Sequence, residues 1–435
     1  MSKGEDQLNA DPVECLEVAR KLAFLQARLS KNSVIRANDQ EYQISRQVAV
    51  GAFGFTYEVK QKNATATYFL RTEPMTANPQ LRKFKLLKIE LFILRKTKEM
   101  ERSSTCHFPR LVDSGCTDEF KFLITQPLGE NLYDLTRNRL GRAFTPSTAL
   151  RVSIQILRGL QDLHSIGFLH RFIRPHAFAI GLSSKIRTVY FVDFGIPWMF
   201  RDSETQKLKR PRKFLRMLGS LRYISHNMHA NKEQARRDDI ESWIYLSMEL
   251  FDLNALPWRN EQLSTNVLHK KKKCIDGHYS MAFTSSSLHF KDLLDYVVNM
   301  KFQERPDYAH ISQVLQKIRA ERNLNFDLPY DWELLTNQMS MKPTETRSSL
   351  VESKSVEKKK IDVKLTTSDS HSQPVLVSSS STSQMKTMVD KMVDVDMLSE
   401  CNNGAEAISH QSHSKNKNSS QSSTSLDYSE QQSTM

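Results

Sequence analysis

The spacing of hydrophobic residues changes at about residue 128. Before it, apolar and polar residues alternate, which predicts a hairpin over 42–59 and strands at 67–72 and 120–126, with one helix over 79–98 between them. After it, apolar residues recur every three or four positions. The helices predicted there cover 131–138, 145–166, 233–253, 287–300 and 308–321. Strands first and helices afterwards indicate an α+β fold in two parts.

Both ends of the chain differ from this central part. An amphipathic helix is predicted from Asp11, placed as its N-cap, to about Ser30, and packing against the same chain is favoured over binding to a partner. After Trp332 the composition turns to Ser, Thr, Lys, Gln, Asn and Asp, so this tail cannot bury enough apolar surface to fold alone. The predicted parts are an extension at 1–41, a folded domain at 42–333 divided into 42–128 and 129–333, and a disordered tail at 334–435.

The charge balance is basic. Lysine and arginine outnumber Asp and Glu by 62 to 49, and the surplus gathers in runs at 207–213, 270–273 and 358–360. Such runs favour anionic partners, namely phosphopeptides, acidic proteins or nucleic acid, although a solvated basic face is the plainer alternative. No aromatic residues of the kind that stack on bases interrupt the runs, which disfavours nucleic acid.

Cysteine usage and hydropathy bear on the compartment. The 5 cysteines form no C-x-x-C pair, a pattern that favours a reducing compartment over a disulfide framework. The first residues lack the apolar core of a signal peptide, and no apolar run reaches the ~18 residues that span a bilayer. We therefore expect a cytoplasmic or nuclear protein without a membrane segment.

The candidate chemistry lies between residues 164 and 195. This segment contains His-Arg-Phe-Ile-Arg-Pro-His-Ala at 170–177 and Val-Asp-Phe-Gly at 192–195. Further stretches follow in order: Gly-Ser-Leu-Arg-Tyr at 219–223, Arg-Arg-Asp-Asp-Ile-Glu-Ser at 236–242, Leu-Pro-Trp at 256–258, Arg-Pro-Asp-Tyr at 305–308 and Asp-Trp-Glu at 331–333. From about Tyr42 to Trp332 the chain resembles the casein kinase one group of protein kinases, most closely its tau-tubulin kinase branch. The resemblance implies a bilobal protein kinase fold, with a small β-rich lobe and a larger helical lobe.

The resemblance places a nucleotide site in the small lobe. The family's glycine-rich loop lets backbone N–H groups approach the phosphates, and Ala49, Gly51 and Gly54 occupy its three glycine positions. Arg71 stands where a lysine bridges the phosphates and pairs with a helix glutamate, here Glu90. Arginine keeps the charge but differs from lysine in geometry.

Other positions of this site are changed or uninformative. Gln126 and Leu128 would offer backbone groups to adenine. Because a substitution cannot remove a backbone group, these two positions do not show whether a nucleotide binds. Phe69 replaces a small alanine that lies against the adenine ring in the family, and we expect its side chain to obstruct the pocket.

The catalytic loop departs most from the family pattern. Phe172 stands in place of the Asp that accepts the substrate proton, and no Asp or Glu lies between His170 and Tyr190 to replace it. Ala177 replaces the metal-binding Asn, which leaves Asp193 as the recognisable metal carboxylate. Arg174 replaces the lysine that neutralises the transferred phosphate. The pattern therefore disfavours ATP and magnesium as cofactors and predicts an inactive, pseudokinase-like protein.

Architectural residues of the family are kept. The resemblance places Leu94, His170 and Phe194 in a hydrophobic spine that joins the lobes, and Arg171, Asp238 and Glu241 at positions that brace the catalytic loop and the large lobe. Loss of chemistry with retention of packing is typical of a binding scaffold.

A basic segment follows the Asp-Phe-Gly motif. In the family the equivalent region binds acidic or phosphorylated protein substrates through cationic side chains. A solvated loop or a nuclear-import signal at 207–213 explains the same residues equally well. The candidate anion-binding residues are Lys209, Arg210, Arg212, Lys213, Arg216 and Arg222.

Three functions are compatible with these patterns. The leading one is a catalytically inactive scaffold that binds an acidic or phosphorylated protein, with a kinase as a further candidate partner at the small lobe. The second is an active serine/threonine kinase that transfers the ATP γ-phosphate by an atypical site with Arg71, Arg174 and Asp193. The third is a basic nucleic-acid-binding protein on a kinase fold.

Overall fold

A computed structural model describes residues 29–50, 54–62, 64–74, 86–100, 107–194, 196–202, 205–212, 215, 217–286 and 288–340. The predicted amino-terminal helix and the tail beyond residue 340 lie outside these ranges. So do three of the candidate site residues, Gly51, Lys213 and Arg216.

The first part of the described chain is built on one antiparallel sheet. Its strands are β1 (Val34–Ala37), β2 (Gln40–Val50), β3 (Phe55–Gln61), β4 (Thr67–Pro74), β5 (Leu111–Cys116) and β6 (Phe120–Thr125). Their order is β1-β2-β3-β4-β6-β5, and helix α1 (Leu86–Glu99) contacts β5 and β6. Strand β1 precedes Tyr42, where the alternation begins; it is too short for a clear alternating pattern and is stabilised by pairing with β2.

Alternation along the strands explains the core of this sheet. In β3, Phe55, Tyr57 and Val59 are buried while the residues between them are half-buried, because successive side chains point to opposite faces. Leu70 of β4 joins the same apolar cluster. The sheet therefore buries one face with these residues, and the alternate residues of β4 are left for its other face.

The second part is helical. Its helices are α2 (Pro146–Ser165), α3 (His226–His229), α4 (Arg236–Phe251), α5 (Ser264–Ile275), α6 (His289–Asn299), α7 (Tyr308–Glu321) and α8 (Asp331–Ser340). Helix α4 is buried along nearly its whole length, and the indole Nε1 of Trp243 donates to the Ser153 carbonyl of α2 at 3.0 Å. Within the described residues, no helix is long and apolar enough to cross a membrane.

Two short strand pairs shape the segment between α2 and α3. Strand β7 (Phe168–Leu169) pairs with β10 (Trp198–Met199), and β8 (Phe178–Ile180) pairs with β9 (Val189–Phe191). These pairs hold residues 170–177 and 192–194 beside each other, and the Val192 N–H donates to the Ala177 carbonyl at 2.9 Å.

Most predicted helices are present, but α3, α5 and α8 are not among the predictions, and α8 continues to Ser340, beyond the predicted start of the disordered tail at 334. The pattern at 131–138 forms a π-helical turn, Asp134–Arg139, after Asn131 makes an isolated bridge to Ala179. Helix α5 is absent from the predictions, because its sequence contains a run of lysines and buries only Val267, Lys271 and Cys274. The α+β order of strands followed by helices is confirmed.

Candidate functional site

The candidate site begins on strand β4. Phe69 and Arg71 share one face of the strand, because side chains two residues apart point to the same side. Leu70 between them is fully buried in the sheet core on the opposite face. Phe69 and Arg71 therefore project away from that core, toward α1 and the β8–β9 pair.

Arg71 connects three elements. Its Nη1 donates to both carboxylate oxygens of Glu90 on α1, at 2.6 and 2.5 Å, and its Nη2 donates to the Val192 carbonyl after β9. Burial raises the pKa of Glu90, whereas the adjacent Arg71 guanidinium opposes that shift. The predicted ion pair between Arg71 and Glu90 is present, and Arg71 also links it to the segment that carries Asp193.

Phe69 also reaches across to the helical part. Its half-buried side chain packs against a cluster formed by Leu128, Ala179 and Tyr190, together with Val192. The aromatic ring thus lies between the sheet, the connector after β6 and the β8–β9 pair.

Residues 170–173 are held by a buried carboxylate. Asp239 of α4 accepts from the backbone N–H groups of His170 and Arg171 at 2.7 and 2.8 Å, and His164 Nε2 lies 2.8 Å from its Oδ2. Burial alone would raise the pKa of Asp239, but the hydrogen bonds and the histidines around it lower the pKa overall. The carboxylate therefore stays charged and fixes the loop, including Arg171, whose φ of 63° is left-handed.

Phe172 is packed within this loop. Its ring is 7% exposed, its backbone N–H donates to His170 Nδ1 at 3.3 Å, and a Cβ atom at Gly219 would lie 3.7 Å from the ring. The Arg174 guanidinium lies over the ring, 4.2 Å from its centroid. A hydrocarbon ring beneath a cation cannot accept a proton, so Phe172 contributes packing and no acid–base chemistry.

Asp193 is paired with the same arginine. Arg174 Nη2 lies 2.9 Å from Asp193 Oδ2, and the two side chains are 30% and 39% exposed. Ala177, at the position that the resemblance aligns with a metal-binding Asn, is fully buried. Nowhere in the described ranges do three His, Cys, Asp or Glu side chains gather in a group that could hold a metal. Magnesium is usually bound by one or two carboxylates together with waters and substrate phosphates, and the Asp193 carboxylate is already paired with Arg174, so these side chains do not fit the ion while that pair is in place.

The remaining candidate nucleotide residues have structural partners. A side chain at Gly54 would collide with the Thr72 carbonyl, so this glycine is required by the close approach of two strands. The Gln126 N–H donates to the Arg110 carbonyl at 3.0 Å, and Leu128 is buried in the cluster against which Phe69 packs.

Comparisons with known proteins place this geometry in a family. Serine/threonine-protein kinase spe-6 of Caenorhabditis elegans is 30% identical over 308 residues, which cover 68% of this chain and 77% of that protein. A Dictyostelium discoideum protein named as a probable serine/threonine-protein kinase is 27% identical over 298 residues, which span only 57% of its length. No protein-family model matches the chain.

The chain belongs to the serine/threonine-protein kinase family. This relationship, with the strand-rich first part and the helical second part, confirms the bilobal α+β kinase fold.

The three residues expected in the spine lie in the core. Leu94, His170 and Phe194 are all buried, and the His170 and Phe194 rings lie 6.4 Å apart. Sequence reasoning missed Phe108, whose ring stacks on Phe194 at 6.0 Å and on Phe191 at 5.2 Å. Phe108 was missed because it is an isolated apolar residue that belongs to no periodic stretch of the sequence.

The bracing expected of Asp238 is divided between Asp238, which braces the helical part, and its neighbour Asp239, which braces the loop. Asp238 accepts from Ser225 Oγ and from the Ala235 N–H, both at 2.7 Å, and so caps α4. Its neighbour Asp239 holds the loop instead, because one step along a helix rotates a side chain to a different face. The tandem Asp-Asp was visible in the sequence, but its two roles were not.

The basic residues after Asp193 fall into two sets. Arg212 pairs with Glu233 at 2.5 and 2.8 Å, and Arg222 pairs with the buried Glu249 at 2.9 Å, so both carry internal ion pairs. The exposed Arg210 and the half-buried Lys209 lie on the outer side of this segment.

Arg171 adds a cation that sequence reasoning assigned only to the brace. It is 3% exposed, and within the described residues its guanidinium has no hydrogen-bond acceptor. Burial, and then the neighbouring Arg212, lower the pKa of Arg171 to about 10. The cationic groups of Arg171, Lys209 and Arg212 lie 5.8, 5.5 and 3.8 Å from the Trp198 ring.

Proposed function

We propose that this chain is a kinase-fold protein of the casein kinase one group, in the tau-tubulin kinase branch, that binds partners and does not transfer phosphate. The observation that carries the proposal is the packing of Phe172 beneath Arg174, in a loop anchored by Asp239. At this place a kinase needs a proton acceptor. A general base contributes about 10²–10⁴-fold to rate, and this loop contains none.

The small lobe supports the same proposal. Phe69 fills the space between strand β4, Leu128 and Ala179, where the resemblance places the adenine ring. Arg71 and Glu90 remain paired, so the architecture of the site survives in a form that does not depend on a nucleotide. ATP and magnesium are therefore not part of the proposed function.

The proposed partner is an acidic or phosphorylated protein in the cytoplasm or nucleus. Support comes from Lys209 beside the Trp198 ring and from the buried Arg171 guanidinium on the same ring. Guanidinium groups form paired hydrogen bonds with phosphate oxygens, which a neutral surface cannot offer. The exposed Arg210 extends this basic region outward.

The experiment has two arms on the full chain. In the first, purified protein is incubated with Mg-ATP and casein, and we expect no phosphotransfer. Phosphotransfer that is abolished by Asp193→Ala would refute the proposal and favour an active kinase with an atypical site.

The second arm measures binding of a fluorescent acidic peptide with and without phosphoserine. We expect tighter binding of the phosphorylated form, and a loss of about tenfold for Lys209→Ala with Arg210→Ala, equivalent to about 1.4 kcal/mol. A matched control replaces Lys272 and Lys273 with alanine, because these exposed lysines lie on α5. Equal affinity for both peptides would contradict the proposal, and tighter, steeply salt-dependent binding of duplex DNA would favour the nucleic-acid alternative.

A further inference from the structure

The ion pair between Arg174 and Asp193 has a role beyond the loss of catalysis. We infer that Arg174 is a built-in counter-ion that takes the place of a divalent cation at Asp193, so that the cleft is balanced electrostatically without metal. The inference rests on the proposed function and deepens it, because it identifies what replaces the metal in this kinase-fold site.

Charge balance around the cleft supports this assignment. Arg71 pairs with Glu90 at 2.5 Å and Arg174 pairs with Asp193 at 2.9 Å, so each of these two carboxylates has its own guanidinium. A divalent cation attracted to Asp193 would have to approach Arg174, which already contacts Oδ2. The fully buried Ala177 offers no oxygen ligand to compensate for that repulsion.

The position of Arg174 is fixed from two sides. Its guanidinium rests on the Phe172 ring at 4.2 Å and contacts Asp193 at 2.9 Å. The residue also precedes the 3₁₀ turn Pro175–Ala177, where it has an extended backbone with φ −164° and ψ 161°. Phe172 therefore has a positive function: its ring is the platform that holds the counter-ion over Asp193.

The test uses Mn²⁺ as the probe, since its free form gives an electron paramagnetic resonance signal that disappears on binding. We expect the wild-type chain to take up no Mn²⁺ at this site at millimolar concentration, and its thermal midpoint to stay unchanged by Mn²⁺ or Mg²⁺. Arg174→Ala should bind Mn²⁺ at the freed Asp193 carboxylate, and Mn²⁺ addition should raise the thermal midpoint of this variant.

Three further variants assign the effect to this pair. Arg174→Ala combined with Asp193→Asn should lose the Mn²⁺ response, because the carboxylate ligand is gone. Arg187→Ala removes an arginine from a surface pair with Glu333 at 3.0 Å and should show no Mn²⁺ response. If Arg174→Ala does not fold, Arg174→Gln retains a side-chain amide donor to Asp193 and should still acquire Mn²⁺ binding.

The outcomes separate this inference from the proposed function. If the wild type takes up Mn²⁺ and Asp193→Asn abolishes this uptake, the inference is overturned. The proposal that the protein does not transfer phosphate would not be contradicted by that result. The absence of any Mn²⁺ response in both Arg174 variants would also overturn the inference. Phosphotransfer by the wild type that persists in EDTA would refute the proposed function and leave the counter-ion role standing.

Discussion

Replacing Phe69 with alanine should open the space between the two lobes that its ring now fills. The ring packs against the cluster of Leu128, Ala179 and Tyr190, so the substitution removes apolar contacts made with both sides of the cleft. No backbone hydrogen bond of strand β4 depends on the side chain, and the sheet should stay paired.

The expected loss of stability follows from the burial of this side chain. Complete burial of a phenylalanine makes its replacement by alanine cost about 3–5 kcal/mol, and Phe69 is only half-buried. We therefore expect about 2 kcal/mol less free energy of unfolding, which lowers the thermal midpoint of a domain of this size by about 4–6 °C.

The opened space should admit a nucleotide base. With a dissociation constant tenfold below the ATP concentration, binding stabilises the folded state by about 1.4 kcal/mol, so ATP should restore much of the lost midpoint in a thermal-shift titration. The wild-type protein should show no shift. Because the site is balanced without metal, the shift should be the same in EDTA and in magnesium.

Tyr68 provides a matched control one residue away. Its side chain lies on the other face of β4 and packs edge-to-face on Tyr42, with ring centroids 6.0 Å apart. Tyr68→Ala should therefore destabilise the sheet without creating an ATP response. If Phe69→Ala loses stability but shows no more response to ATP than Tyr68→Ala, steric filling of the base site by Phe69 is the wrong explanation.

Two predictions concern the support of the site. Asp239→Asn should lower the free energy of unfolding in urea by about 3 kcal/mol, because a buried carboxylate with three donors loses its charge; an equal loss for the exposed Asp118→Asn would contradict this. His226 lies 2.7 Å from Glu241, and although burial lowers its pKa, the carboxylate raises the pKa overall. The stability of the wild type relative to His226→Gln should be greatest below about pH 6.5 and decline as the pH rises through the folded-state pKa; a pH-independent difference would exclude a charged His226.

The helices show how far periodicity predicts the fold. The pattern at 145–166 corresponds to Pro146–Ser165, and the pattern at 308–321 to Tyr308–Glu321. The second helix buries a single apolar stripe, whereas the first is buried all round in its first two turns and keeps a spaced apolar face only after them. Helix α5 could not be found this way. Its Lys271 is fully buried and donates to the carbonyls of Leu221 and Ile224 at 3.0 and 2.5 Å, while burial lowers its pKa to about 7. Because hydrophobic periodicity counts lysine as a polar, exposed residue, the buried position of Lys271 does not add to the apolar pattern of this helix.

The basic segment shows a second limit. From the sequence, Arg212 and Arg222 are cations available to a partner, like Arg210. In the fold, Arg212 pairs with Glu233 and Arg222 pairs with Glu249. Fewer basic side chains of this segment are therefore available to a partner than the sequence suggests. The sequence gives the number of charged residues, but which of them form ion pairs depends on the tertiary structure.

The sequence by itself determined which groups the site contains: a phenylalanine at 172, an alanine at 177 and arginines at 71 and 174. It thereby predicted the loss of the proton acceptor and of a metal ligand. Only the tertiary structure decided that Arg174 rests on Phe172 and pairs with Asp193, and that Phe69 reaches Ala179. Hydrophobic periodicity reports local conformation, whereas ion pairs and ring contacts form between residues far apart in the chain, and the fold selects these partners through space.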